Sequence, residues 1–326
     1  MDKISVIIPA YNAEKTIKRC IDSILSGYRE GYKREIIVVN NGSTDNTEMI
    51  VKEIVDQNPE VVLINQNNKG PAGSRQTGLR AASGDYIAWV DSDDWVEPEW
   101  LLHLYDNIIK YDADISVCRA RIKGRDICYN PKEKLVWNRD EAIREFLVHK
   151  KLNGCLWNKL IRRDLFNDIN FSLEMWYWED LYVVWKVLKK CQKVVRCNEG
   201  TYNFYIHPES MCAQKINVNR VYCTLKVWDE IVNDCQLYFQ KHIVAAIKKQ
   251  EEWALSDLRN MMKDNLFNEE YENRILTIVR KAGLSGAMTQ SGVGNRIFAL
   301  GVLINMSATR KLIKGYYYLK GIIRRG

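Results

Sequence analysis

ISVIIPAYNAEKTIKRCIDSIL, residues 4–25, runs from a β-branched stretch through a short polar loop into an amphipathic pattern. ISVIIP (4–9) reads as a buried strand. Residues 13–25 read as a helix, with Ile17, Cys20, Ile21, Ile24 and Leu25 at helical spacing. The same unit then recurs. EIIVVN (35–40) is a second strand, and STDNTEMIVKEIV (43–55) a helix in which Ser43 or Thr44 can serve as N-cap. VVLINQ (61–66) is a third strand, PAGSRQTGLRAA (71–82) a helix with Pro71 near its start, and DYIAWVD (85–91) a fourth strand. EPEWLLHLYDNIIK (97–110) is helical and DISVCRA (114–120) is a fifth strand. Strands alternating with helices at this spacing predict right-handed βαβ crossovers and an α/β fold with a mostly parallel, Rossmann-like sheet.

Beyond residue 120 the pattern is mixed. Residues 139–150 are helical, LWNKLIRRDLF (156–166) begins another helix, and EDLYVVWKVLKKC (179–191) is a third. VVRCNEGTYNFYI (194–206) reads as one or two strands. Long helical runs follow Asn219, so we expect one domain over 1–215 and a helical region over 216–326.

Ligands of such sheets bind at the carboxyl ends of the strands. Four polar clusters fall there: PAYN, NNGSTDNT, NQNNKGPAGSR and DSDD. In DSDD, Asp91 and Asp93 alternate at a strand end and can face one side, where two hard oxygen donors suit Mg²⁺ or Mn²⁺. Such a cluster needs a cation to offset its repulsion. The plainer reading makes Asp94 a turn or N-cap residue and leaves the others solvated. KGPAGSRQTG (69–78) carries glycines into a helix start, which favours a phosphate near Arg75, or is a plain helix start; it lacks the Walker A and GxGxxG patterns. WYWEDLYVVW (176–185) sets Glu179 and Asp180 among Trp176, Tyr177, Trp178 and Trp185. A partly enclosed carboxylate there has the raised pKa of a general base. Alternatively, the pair complements a helix dipole. His207, beside Pro208 and near Ser210, reads as a turn histidine, or as a third metal ligand or phosphate contact.

In order, VIIPAYNAE, EIIVVNNGSTDNT, NKGPAGSRQTGL, SGDYIAWVDSDDW, WNKLIRRDLF and WYWEDLYVVW resemble glycosyltransferase family 2, over residues 4 to about 210. The resemblance implies a GT-A fold and inverting transfer from a nucleotide-diphosphate sugar to a glycan or lipid-linked acceptor, of the bacterial capsule and cell-surface type. It implies that Pro9, Tyr11 and neighbouring backbone face the base and that Arg75 lies near base or phosphate. It further implies Asp91 with Ser92 on the ribose side, Asp93 on the metal and Asp180 as base. Asn40 and Asn41 stand where the family usually has two aspartates. An asparagine oxygen also accepts an imide N–H, so base recognition persists or shifts to another base. A non-catalytic sugar-nucleotide scaffold is the alternative this departure motivates. A sugar nucleotidyltransferase is disfavoured, because PAYNAEKT rather than a Gly- and Lys/Arg-rich loop follows the first strand.

The net charge of +7 is uneven: after Glu272 there are ten Lys or Arg and no Asp or Glu, leaving 7 − 10 = −3 for residues 1–272. Nucleic acid is not an expected partner. The apolar runs IFALGVLINM (297–306) and YYYLKGIIRRG (316–326) fall short of the roughly 20 residues of a membrane span. Interleaved with cations, they fit either a helix on an anionic membrane surface or a packed helical pair with a basic face. Nine scattered cysteines without CxxC spacing predict reduced thiols and a cytoplasmic protein, peripheral on the inner membrane face if the tail binds lipid. No signal peptide is expected, since a strand follows Met1-Asp2-Lys3 at once.

Overall fold

The computed structural model describes residues 1–27, 31–122, 125–126, 135–148, 151–207, 210–211 and 214–323. The chain divides into two compact units, Met1–Cys212 and Ala213–Gly326.

The first unit is built from β1 (Asp2–Ala10), α1 (Ile17–Leu25), β2 (Tyr32–Asn40), α2 (Thr47–Gln57), β3 (Val61–Asn65), α3 (Gly70–Ala81), β4 (Tyr86–Trp89) and β5 (Trp95–Val96). It continues with α4 (Trp100–Tyr111), β6 (Ile115–Ile122), β7 (Arg125–Asp126), β8 (Leu135–Asn138), α5 (Arg139–Val148), β9 (Lys159–Arg162), α6 (Glu179–Lys190) and β10 (Lys193–Phe204). The strands form one sheet in the order β3-β2-β1-β4-β9-β6-β10-β5, with β7 on β6 and β8 on β10. Neighbours β3, β2, β1 and β4 run parallel, as do β6 and β10.

Both faces of β1 are buried, as a covered parallel strand requires. Ile4, Val6 and Ile8 pack with Ile17, Ile21 and Ile24 of α1 and Val51 of α2. On the other face α3 lies so close that a Cβ at Gly78 would stand 2.3 Å from Ile7 Cγ2, so only glycine fits there.

Two local expectations are corrected. LWNKLIRRDLF does not begin an α-helix: Lys159–Arg162 is strand β9, followed by a single 3₁₀ turn over Arg163–Phe166. The segment inserts antiparallel between β4 and β6, pairing Ile87 with Ile161 on one side and Ser116 with Leu160 on the other. Hydrogen-bonding neighbours on both edges outweigh the helical spacing of its side chains. Helix α2 begins at Thr47 rather than after Ser43 or Thr44, because those two residues are engaged across the edge. The Ser43 hydroxyl accepts from the Asn12 amide at 3.0 Å, and the Thr44 amide donates to Asn12 Oδ1 at 2.8 Å. This clips the loop after β1 to the loop after β2.

The second unit is helical: α7 (Val218–Tyr238), α8 (Ile243–Asp264), α9 (Glu269–Thr289), α10 (Val293–Ile304) and α11 (Met306–Ile323). Asn217 and Asn268 cap α7 and α9 by accepting from the amides of Arg220 and Tyr271. Leu225, Leu258, Met261, Ile275, Val279, Phe298 and Val302 form its core. Among the described residues, Cys20, Cys118, Cys155, Cys191, Cys197, Cys223 and Cys235 are free thiols, and no helix is long and apolar enough to cross a membrane.

Candidate active site

The site grows from the turn that ends β4. The Asp94 amide donates to the Asp91 carbonyl at 3.0 Å, folding DSDD back on itself. Helix α1 holds this turn from one side: Arg19 Nη2 donates to the Asp93 carbonyl at 2.6 Å, and the Ser23 hydroxyl accepts from the Val96 amide at 3.1 Å. From the other side the Tyr202 hydroxyl, on β10, accepts from the Asp91 amide at 3.0 Å.

The three aspartates have three different environments. Asp94 is fully buried. Its carboxylate accepts from the Tyr202 hydroxyl at 2.6 Å and the Tyr205 amide at 2.7 Å. Burial, and then the charges of Asp91 and Asp93, push its pKa up to about 9. Asp91 Oδ1 accepts from Arg75 Nη2 at 2.7 Å. Asp93 Oδ2 lies 3.0 Å from His207 Nε2. Its carboxyl is raised above the ordinary range, first by burial and then by Asp91.

Arg75 ties this turn to the second acidic pair. Its Nε donates to Glu179 Oε1 at 3.1 Å, so one buried guanidinium bridges Asp91 and Glu179. Burial works against its charge, but Asp91, Glu179 and Asp180 outweigh that and raise its pKa. Its third nitrogen, Nη1, is buried with no partner on the protein. Trp178, at φ 63 and ψ 18, sets the entry to α6 in a left-handed conformation uncommon for a bulky residue. Glu179 and Asp180 are the first two residues of that helix. Glu179 is buried, and desolvation with Asp180 nearby brings its pKa to about 7 against the opposing pull of Arg75. Asp180 keeps partial exposure and is raised mainly by desolvation, with Arg75 opposing. Its Oδ1 accepts from the Leu181 amide at 2.7 Å. Lys159, buried on β9, donates to Asn153, Asn158 and the Cys155 carbonyl and pulls the Asp180 pKa downward.

Expected and observed positions can now be compared. Pro9 and Tyr11 lie at the carboxyl end of β1, with Tyr11 exposed; Ser92 lies in the aspartate turn. Asn40 and Asn41 are buried, with their amides turned into the loops. Asn40 Nδ2 donates to Asn65 and its Oδ1 accepts from the Ser43 amide. Asn41 Nδ2 donates to Asn68 and to the Gly70 carbonyl, while its Oδ1 accepts from Gln66 and the Lys69 amide. Their observed work is therefore to join the loops after β2 and β3.

One oxygen of Asp91, Oδ1, is turned to Arg75, and no cluster of three acidic, His or Cys side chains stands ready for a metal among the described residues. The Asp93–His207 pair does fit a small divalent ion. It offers one carboxylate oxygen and one imidazole nitrogen, and ligands about 2.1 Å from an octahedral ion at right angles stand about 3 Å apart. His207 thus joins the site rather than serving only as a turn residue; its carbonyl also accepts from the Ser210 hydroxyl.

Sequence reasoning missed three neighbours. The Arg19 guanidinium lies 4.3 Å from the Trp95 ring centroid and 5.2 Å from that of Tyr205, and Tyr205 stacks on His207 at 5.6 Å. Arg19 falls outside the apolar positions of its helix and belongs to no motif in the sequence. Trp176 is partly exposed over Gly70, where a Cβ would stand 3.4 Å from the indole; Gly70 also has a φ of +71°. A separate cavity of about 830 Å³ lies where β1 and β4 begin, lined by Asp2, Arg80, Asp85 and Arg162 among others, and includes none of these site residues.

A sheet with this order, an acidic turn at its carboxyl edge and a helix opening on Glu-Asp define a glycosyltransferase of the GT-A type. The profile for "Glycosyl transferase family 2" matches residues 5–169, and the chain belongs to that family. Glycosyltransferase GlyA of Streptococcus pneumoniae serotype 4 is 32% identical over 228 residues, 64% of this chain and 31% of that protein. The poly(ribitol-phosphate) beta-glucosyltransferase of Bacillus spizizenii is 35% identical over 128 residues, 38% of this chain and 20% of that one. This chain therefore spans less than a third of the length of either relative. The crystal structure of S. aureus TarS 1-349 in complex with UDP-GlcNAc shares the fold, with a TM-score of 0.72 at 19% identity over 98% of this chain and 92% of that one.

Proposed function

We propose that the protein is an inverting glycosyltransferase, moving a sugar from a nucleotide-diphosphate donor to a hydroxyl of a glycan or lipid-linked acceptor in cell-surface polysaccharide synthesis. One observation carries this reading. A single buried arginine joins the aspartate turn to the Glu-Asp helix and keeps one nitrogen unpartnered. That nitrogen is a donor suited to a phosphate oxygen. The names of the relatives support transfer to a surface polymer, and the UDP-GlcNAc complex of the structural neighbour supports a nucleotide sugar.

Asp93 and His207 would hold Mn²⁺ or Mg²⁺, whose chemistry is to neutralise the diphosphate as it gains charge. Arg75 orients the phosphates, and Glu179 holds Arg75. Trp176 offers an apolar face for a sugar ring. Asp180, with its pKa raised and its side chain partly exposed, takes the acceptor hydroxyl proton. The acceptor oxygen forms a bond to the anomeric carbon from the face opposite the diphosphate. The bond from that carbon to the phosphate oxygen breaks, and its electron pair leaves with the diphosphate. One displacement inverts the centre.

Calorimetry with nucleoside diphosphates and Mn²⁺ tests the donor half: binding should depend on metal and be lost in Asp93→Ala. Affinity unchanged by chelator would refute it. Asp180→Asn should bind donor normally yet lose about 10²–10⁴-fold in transfer rate. A wild-type rate in that variant would remove Asp180 from the base role.

A further inference from the structure

In the second unit, α9, α10 and α11 bury apolar residues and leave others exposed among cations. Ala287, Phe298, Ala299 and Val302 turn into the core. Leu284, Met288, Val293, Ile297, Ile304, Leu312 and Tyr316 are each more than half exposed, Ile304 by 80%. Leu284 and Met288, Val293 and Ile297, and Leu312 and Tyr316 are each spaced by four, so each pair shares one face of its helix. Lone exposed apolar residues need no explanation, but a succession of them over three consecutive helices does. Exposed Arg280, Lys281, Arg296, Lys311 and Lys314 alternate with them. No acidic residue follows Glu272.

We propose that this basic, apolar face of α9–α11 docks in the plane of an anionic phospholipid bilayer, its cations on lipid phosphates and its leucine, isoleucine, valine and tyrosine side chains among the upper acyl chains. Charge selects this occupant. A self-complementary contact between two copies would bring these cations together, and the only acids on the three helices, Glu269, Glu270 and Glu272, lie in the first turn of α9, away from the exposed apolar positions 284–316. A bilayer surface rich in anionic lipid supplies negative charge and an apolar layer within one headgroup depth. Crossing is not implied, since no helix of the described chain is long and apolar enough to span a membrane.

Sedimentation of the full chain with vesicles of mixed phosphatidylglycerol and phosphatidylcholine, against vesicles of phosphatidylcholine alone, tests the surface. Binding to the anionic vesicles should be at least about ten-fold tighter and weaken with salt. Lys311→Glu with Lys314→Glu should weaken it by at least about ten-fold. Ile297→Ser with Leu312→Ser should do likewise, by removing the inserted groups. All four positions are exposed, so helicity by circular dichroism should match that of the unsubstituted chain. Equal binding to both vesicle types, or no binding to either, overturns the proposal. So does a concentration-dependent dimer that Ile297→Ser with Leu312→Ser abolishes.

Discussion

Asp94 lies buried in the first unit with both carboxylate oxygens taken up by Tyr202 and Tyr205, whereas Glu251 and Asp257 lie buried in the second with one oxygen of each unpartnered. Glu251 sits on α8 against Gly286 of α9, and burial brings its pKa to about 7; burial brings Asp257 to about 6. The first unit gives Asp91 and Glu179 one shared buried arginine. In the second unit burial favours the protonated form of Glu251 and Asp257, while Glu272 is paired with Arg310. The aspartate turn and the start of α6 therefore hold their carboxylates by dedicated side-chain partners, whereas Glu251 and Asp257 of the helical unit each keep an oxygen without one.

Four substitutions can break or sharpen that contrast. Arg75→Met should cost the most, about 3–5 kcal/mol in urea unfolding, because it leaves Asp91 and Glu179 without their buried partner. A loss below about 1 kcal/mol would mean that the carboxylates are solvated and the contrast false. Glu251→Gln should act in the opposite direction, stabilising the helical unit by about 1–3 kcal/mol at pH 8. The sign follows from linkage: a carboxyl raised from 4.5 to about 7 stabilises the fold most below 4.5 and loses that contribution as pH rises through 7. Hydrogen exchange on α8 should therefore slow between pH 8 and pH 5.5, after correction for intrinsic rates, and the glutamine variant should lose most of that gain.

Lys159→Met should shift the acid limb of the transfer rate to higher pH by up to about one unit, since the cation that lowers the Asp180 pKa is gone. Donor KM should stay constant; a changed KM with an unmoved limb would make Lys159 a packing residue only. Arg19→Lys should have the smallest effect, about 0.5–1 kcal/mol in nucleotide affinity by calorimetry, as the planar stack on Trp95 is lost while the charge remains.

The sheet and its working edge were legible because β-branched runs and polar loops recur at βαβ spacing, and topology then places every such loop at one edge. The strand Lys159–Arg162 was not, because four residues with two apolar positions fit a helix as well as a strand and only β4 and β6 decide between them. The start of α2 was misplaced for a related reason: Ser43 and Thr44 are good caps in isolation, but Asn12 competes for them from 31 or 32 residues away. The approach of His207 to Asp93 spans 114 residues and left no local signal. Nor did Arg19, whose guanidinium faces the site from a helix of ordinary amphipathic pattern.

The residue at φ 63 before the Glu-Asp pair has a consequence for how this scaffold can diversify. A bulky side chain wound against its preferred hand costs about 1–3 kcal/mol and persists only where its surroundings impose that shape. Trp178 thus acts as a fixed collar between the irregular approach from Phe171 and the helix that opens on Glu179. Exchanges upstream, in the stretch from Phe171 to Tyr177, are therefore expected to leave the backbone entry to Glu179 and Asp180 unchanged.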